Sequence, residues 1–382
     1  MEKLALLGGE KTKFPERQNP ELWHWPIITK EDEDNVLEVV RQNKFSGYDI
    51  TEKFQEEYAA WQGSKYGLCF TNGTMALTAA MFAIGLGMGD EIICPTKTYW
   101  GSVSQAINFG ASAVFCNINE MLSLDPDDLE RCITPRTKAI MVVHYFSYPA
   151  DMDRIMAIAK KHNLRVIEDC SHAHGVTYKG RKVGTFGDVA AMSMMSGKSF
   201  AAGELGMLTT DSREIYERAI AFGHYERNNA NYIQETDELK PYFHIALGGF
   251  KGRANQVSSV LARGQLKYYD ERTKEIRRAM NYFWDLLEGV PGIHASAWTN
   301  RPAPTWAAGI TDRARTVRRN WAVFPSESSR KRFAHRALTA AGTAATSVCT
   351  RIRSSKISTS TAWARRAASR LRAATCVRTI SA

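Results

Sequence analysis

The run ArgValIleGluAspCysSerHisAlaHisGly, residues 165–175, decides the fold class. It begins as a β-rich apolar segment and ends in two acids followed by small and polar residues. Acids at the C-terminal end of such a strand stand where the ligands of open α/β sheets collect. Working outward, short strand-like runs at Glu91–Cys94, Ala113–Ile118, Ala139–Tyr145, Val189–Met194 and Gly206–Thr209 alternate with helical patterns. That alternation predicts an α/β domain with a largely parallel sheet flanked by helices. The clearest helix spans Asp151 to His162, with Asp151 as cap, an apolar stripe of Met152, Ile155, Met156 and Ala159, and a basic last turn. Another begins at Thr74 and ends at the glycines of 85–89, which read as a tight turn. A long helical stretch from Arg253 to Glu288 carries Val257, Val260, Leu261 and Leu266 on one side, and is expected to break into two helices.

The chain has 382 residues, 44% hydrophobic and 24% charged, which excludes collagen-like and wholly disordered classes and leaves length for two domains. No apolar run approaches the ~20 residues of a membrane-spanning helix, and the first residues do not resemble a signal peptide. The seven cysteines are odd in number and scattered through apolar runs, so reduced thiols and a cytoplasmic location are expected. The net charge of +10 is unevenly held. Residues 291–382 contain 17 Lys and Arg against only Asp312 and Glu327, so the preceding body is mildly acidic.

Composition changes at the same place. After Pro291 there is no Met, Tyr or Gln, and Leu occurs only at 338 and 371. Three readings are open for this Arg/Ala/Ser/Thr-rich segment: a basic nucleic-acid-binding arm, an unusual C-terminal domain, or text from the wrong reading frame of a GC-rich gene. The abruptness of the change favours the third. The expected division is therefore a large α/β domain at 1–250, a helical connection at 251–290, and an atypical basic tail at 291–382.

Several familiar motifs fail. GlyLysSer at 197–199 lacks the P-loop glycine six residues before the lysine, where Met192 stands. Cys170, His172 and His174 alternate as if along one strand face, but no fourth ligand or CxxC supports a zinc site, and no metal is expected. Four segments fit together better. ThrAsnGlyThrMetAlaLeu (71–77) places Gly73 and Thr74 at a helix start, a seat for phosphate. ThrTyrTrp (98–100) puts aromatic rings just past a strand end. GluAspCysSerHisAlaHisGly (168–175) supplies acids, and SerMetMetSerGlyLysSer (193–199) supplies an isolated lysine with a hydroxyl five residues before it.

Together these segments resemble pyridoxal-phosphate enzymes of fold type I, specifically the DegT/DnrJ/EryC1/StrS family of sugar and cyclitol aminotransferases. The resemblance covers about residues 1–290 and also includes VGxFGD at 183–188 and the GlyGlu pair at 203–204. It implies that Lys198 carries the cofactor and moves the proton, and that Asp169 pairs with the pyridinium nitrogen. By the same resemblance Ser193, Gly73 and Thr74 contact the phosphate, Tyr99 stacks on the ring, and His172 stands beside the ring where many members have Gln. Lys251 takes the place of an Asn that reaches a partner subunit's phosphate, which implies a homodimer with shared sites. Relatives that remove a hydroxyl instead of transferring an amino group replace the lysine by histidine, so Lys198 favours amino transfer. The implied substrates are a keto group on a nucleotide-linked sugar or cyclitol, with glutamate or glutamine as donor. The alternatives are a dehydratase of the same family, or an inactive cofactor-binding protein with a regulatory basic tail. The family's GEGG reads GlyGluLeuGly at 203–206, a departure close to the lysine.

Overall fold

The computed structural model describes residues 25–286 together with the short pair Ile293–His294 and Arg315–Thr316. All of them lie in the first of two compact units, Met1–Ala341. The readings of the 291–382 tail, and the family's continuation past 286, fall outside the described residues apart from that pair.

In chain order the elements are α1 Lys30–Arg41, α2 Asp49–Gln62, β1 Tyr66–Phe70, α3 Gly73–Ala83, β2 Glu91–Pro95, β3 Ser112–Cys116, α4 Pro126–Leu129 and β4 Thr137–Val143. They continue with α5 Met152–Lys161, β5 Arg165–Asp169, β6 Thr177–Tyr178, β7 Arg181–Lys182, β8 Val189–Ser193, β9 Gly206–Thr210, α6 Arg213–Gly223 and α7 Gln256–Leu286. Seven strands form one sheet in the order β1-β9-β8-β5-β4-β2-β3. Pairings from β8 to β3 are parallel, while β9 runs antiparallel to both β8 and β1. The mostly parallel α/β fold expected from the sequence is therefore present.

Alternation along the strands assigns the two faces. Ile93, Ile140, Val142, Val166, Ala190 and Met192 face one way, and pack with Phe54 and Tyr58 of α2, Ile155 of α5 and Tyr269 of α7. Ile92, Met141, Ile167, Ala191 and Leu208 face the other, against Ala76 and Ala80 of α3 and Ile220 of α6. Both faces are covered, so the strands read as continuous apolar runs. Each large side chain so buried contributes about 1.5–3 kcal/mol.

Helix starts follow their caps. Asp151 caps α5 by accepting from Arg154 N, and Asn72 caps α3 by accepting from Met75 N, one residue earlier than the start expected at Thr74. Two expectations need correction. The sequence had no reading for β1, an edge strand whose YGLCF text is too short to show alternation. And α7 is one unbroken helix of 31 residues that packs against both α1 and α2. No described helix is long and apolar enough to cross a membrane.

Candidate active site

Strand β5 ends in two neighbouring carboxylates that alternation sends to opposite faces. Glu168 points toward α2 and α5 and is fully buried. Its Oε2 accepts from His144 Nε2 at 2.9 Å and from Gly184 N at 2.7 Å. Its Oε1 accepts from Phe186 N at 2.7 Å and Gly187 N at 2.6 Å. His144 Nδ1 accepts the Ala150 N–H at 3.1 Å, so the ring proton resides on Nε2 and is donated to Glu168. Burial alone would raise the Glu168 carboxyl; the His144 contact and the backbone N–H groups hold it below the usual carboxylate value. The 183–188 motif is thus a backbone nest around this carboxylate. Gly184 has φ +88°, and a Cβ there would meet Gln62 Nε2 at 2.7 Å.

Asp169 points to the α3 side and is 5% exposed. Its Oδ2 accepts from the Ser102 hydroxyl at 2.7 Å and its Oδ1 from Ser171 N at 3.0 Å. Beside it, Ser193 ends β8, and Gly73 opens α3 directly against Ser193: an added Cβ at Gly73 would lie 2.5 Å from the Ser193 Cβ. Only glycine lets the helix start approach the strand end this closely. The Gly73 and Thr74 N–H groups have no partner among the described residues and point out of the positive end of α3. Gly101 joins Thr74 to Tyr99, since a Cβ there would lie 2.9 Å from Thr74 Oγ1 and 2.8 Å from the Tyr99 ring. Tyr99 itself is 46% exposed.

Lys198 sits in the loop from β8 to β9, whose shape is fixed by Met194 N–Leu205 O and Ala202 N–Met194 O bonds of 2.8 Å, and by Trp25 Nε1 donating to the Lys198 carbonyl at 2.7 Å. Burial pulls its amine below the ordinary lysine value, against the opposing influence of the Asp169 charge. His172 stacks on Phe146 with ring centroids 5.6 Å apart and planes 18° apart. Burial, reinforced by the Lys198 charge, lowers its imidazole to about 4, and its buried Nδ1 has no partner among the described residues. Phe146 and Ser147 both have positive φ, 52° and 65°, and the Ser147 hydroxyl donates to the His172 carbonyl at 2.7 Å. Two non-glycine residues in this conformation store strain beside the site.

His174 has a different task. Its Nε2 donates to the Ser193 carbonyl at 2.9 Å, its Nδ1 accepts from the Tyr58 hydroxyl at 2.8 Å, and its ring stacks on Phe200. Burial lowers it to about 4. This overturns the sequence picture of Cys170, His172 and His174 along one strand face. The strand ends at Asp169 and the chain turns, so Cys170 enters the core while the histidines diverge. Two other groupings of ligand-type atoms occur among the described residues. In His144–Glu168–Cys170 the acid and imidazole are already saturated as above. In Cys116–Asp128–Cys132 the Arg131 guanidinium sits on the carboxylate, and burial raises both thiols. Neither is arranged as a metal centre.

Lys251 is the one sequence candidate that stands apart. Its side chain is 54% exposed, 3.9 Å from Glu226, on the segment whose Gly252 carbonyl accepts from Thr71 N at 2.9 Å. Behind Asp169, Ser102 escaped the sequence reading and Thr98 entered it only as a neighbour of Tyr99, because isolated small hydroxyls in a loop carry no periodic signal. A pocket of about 390 Å³ lined by Lys138, Lys160 and Arg165 opens at the opposite, N-terminal end of β4 and β5 and shares none of these residues.

A phosphorylated, flat, cationic ring fits this geometry: helix-end N–H groups beside Gly73, an orphaned Nδ1 at His172, and an acid with a half-buried amine inside its electrostatic reach. Residues 26–372 match the DegT/DnrJ/EryC1/StrS aminotransferase family. A Micromonospora echinospora protein proposed as an L-glutamine:3-amino-2,3-dideoxy-scyllo-inosose aminotransferase is 37% identical over 285 residues, covering 73% of this chain and 65% of that one. The GDP-perosamine synthase of Caulobacter vibrioides is 35% identical over 262 residues, covering 68% of this chain and 67% of that one. The crystal structure of an aminotransferase from Psychrobacter cryohalolentis superimposes with a TM-score of 0.67 at 34% identity, covering 73% of this chain and 72% of that one. The chain thus spans about two thirds of the curated relatives' length, and it belongs to the DegT/DnrJ/EryC1/StrS aminotransferase family.

Proposed function

We propose that the protein is a pyridoxal-phosphate-dependent aminotransferase that delivers an amino group to a keto group of a nucleotide-linked sugar or cyclitol, with glutamate or glutamine as donor. The observation that carries this reading is the half-buried Lys198 amine, close enough to Asp169 to feel its charge and held below its ordinary pKa by burial. When bound, the cofactor supplies the electron sink that makes a substrate C–H bond acidic. The protein supplies the rest. Gly73 and Thr74 N–H groups with the Ser193 hydroxyl would hold the phosphate, and Asp169 would pair with the ring nitrogen. His172, neutral near pH 7, has Nδ1 available for the ring. Tyr99 would stack on the ring. The amine of Lys198, whose pKa burial lowers, would move the proton at the substrate carbon.

Lys251 is exposed and faces Glu226 rather than any other site residue, and its role is assigned toward a second copy, which makes the active unit a homodimer. Its ammonium would replace one hydrogen bond to the phosphate by a charge-assisted one. The large-domain boundary is placed near residue 250, and the tail from 291 is not assigned a catalytic part. Reducing the cofactor-loaded protein with borohydride, followed by peptide mapping, should place the label on Lys198. A label on another lysine, or folded protein that takes up no cofactor, would overturn the reading.

A further inference from the structure

Asp169 is approached from behind by two hydroxyls in series. Ser102, 1% exposed at the end of the loop that follows β2, has its Oγ 2.7 Å from Asp169 Oδ2. Thr98 Oγ1 lies 2.6 Å from the same Ser102 Oγ. The direction of this chain is fixed by its end. A carboxylate only accepts, so Ser102 spends its single proton on Asp169, and Thr98 must donate to Ser102. Hydrogen bonds in series polarise one another, so the far hydroxyl strengthens the near one. With Ser171 N on Oδ1, each carboxylate oxygen has one donor and keeps a lone pair free for the site.

We propose that Thr98 and Ser102 form a hydroxyl relay that positions Asp169, holding its carboxylate in the orientation in which its spare lone pairs can meet a ring nitrogen. The inference rests on the function proposed above. Without the relay the carboxylate is free to rotate about its side chain and to turn its lone pairs away from the site. Thr98 and Ser102 are positioning residues, since they touch Asp169 and each other rather than the substrate. The loop places them together because the chain folds back from Thr98 into the short 3₁₀ turn Trp100–Ser102, whose last residue is Ser102.

The test uses the full chain and the variants Ser102→Ala, Ser102→Thr and Thr98→Val. The first readout needs no cofactor: in protein carrying ¹³C-labelled Asp, the Asp169 carboxyl resonance at pH 7.5 should shift in Ser102→Ala, shift less in Thr98→Val, and return in Ser102→Thr. The second uses ¹⁵N-labelled pyridoxal phosphate, whose ring-nitrogen resonance should move toward the unprotonated position in the same order. Turnover with an amino-acid donor should fall about tenfold in Ser102→Ala, the lower end of what a hydrogen bond to a charged group is worth. Unchanged carboxyl and nitrogen resonances in folded Ser102→Ala would overturn the relay. Absence of any labelled cofactor on Lys198, with the carboxyl shifts as expected, would instead overturn the function and leave the relay standing.

Discussion

Glu168 and Asp169 are adjacent in sequence and differ in almost everything else. On the α5 side of the sheet, Glu168 has four donors, including three backbone N–H groups, and nothing left to offer. On the α3 side, Asp169 has two donors and spare lone pairs, within electrostatic reach of the half-buried amine of Lys198. One charge is consumed by the fold, and the other is held ready by it. Burial and a perturbed amine therefore do not by themselves identify a functional acid. Unspent hydrogen-bonding capacity does.

Four measurements can break or sharpen this contrast. The largest effect belongs to the closed side. Glu168→Ala leaves His144 and three N–H groups without their acceptor, and should cost about 3–5 kcal/mol in urea unfolding. A loss below about 1 kcal/mol would mean that the nest is not structural. Next comes acid. His174 is neutral in the fold, with its value lowered to about 4 from the ordinary 6.5. Below 6.5 the unfolded chain binds the proton and the fold does not, so its contribution is intact above that pH and is lost as pH falls toward 4. That single group makes a difference of roughly 3 kcal/mol across the window. Stability measured from pH 7 to 4 should fall less steeply in His174→Gln, and equal slopes would refute the assignment.

Asp169→Asn tests the open side. It keeps the shape and removes the charge, so stability should change by less than about 1 kcal/mol. Transamination should drop about a hundredfold, close to 2.7 kcal/mol of barrier. A variant that loses stability as Glu168→Ala does would erase the distinction between the two acids. The smallest effect lies away from both. Lys179 has φ 50° in the two-residue turn that joins β6 to β7, followed by Gly180. Lys179→Asn suits such a turn better and should add about 0.5 kcal/mol, with unchanged turnover. Any loss of activity there would show that the hairpin communicates with the site.

Much of this was legible in the text. The β5 run was read at its observed limits, Arg165–Asp169, because apolar residues and a turn-forming sequence bracket it. Asp151 and His162 were read correctly as the two ends of α5, since caps are local chemistry. Gly73, Thr74, Tyr99, Asp169, His172, Ser193 and Lys198 could be chosen because motif spacing survives without coordinates. The zinc-like alternation of Cys170, His172 and His174 misled, because period 2 has meaning only while the chain remains a strand.

The sequence by itself determined the alternation of strands and helices and the sites of the caps, and it named the residues proposed to carry chemistry, since each depends on neighbours a few positions away. Tertiary structure alone decided what each buried polar group is for. The closing of residues 184–187 around Glu168, the close approach of Gly73 to Ser193, and the delivery of Ser102 to Asp169 join segments 16 to 120 positions apart. Hydrogen bonds have direction and a limited count. Whether an acid is spent or available depends on which donors the fold carries to it across those distances.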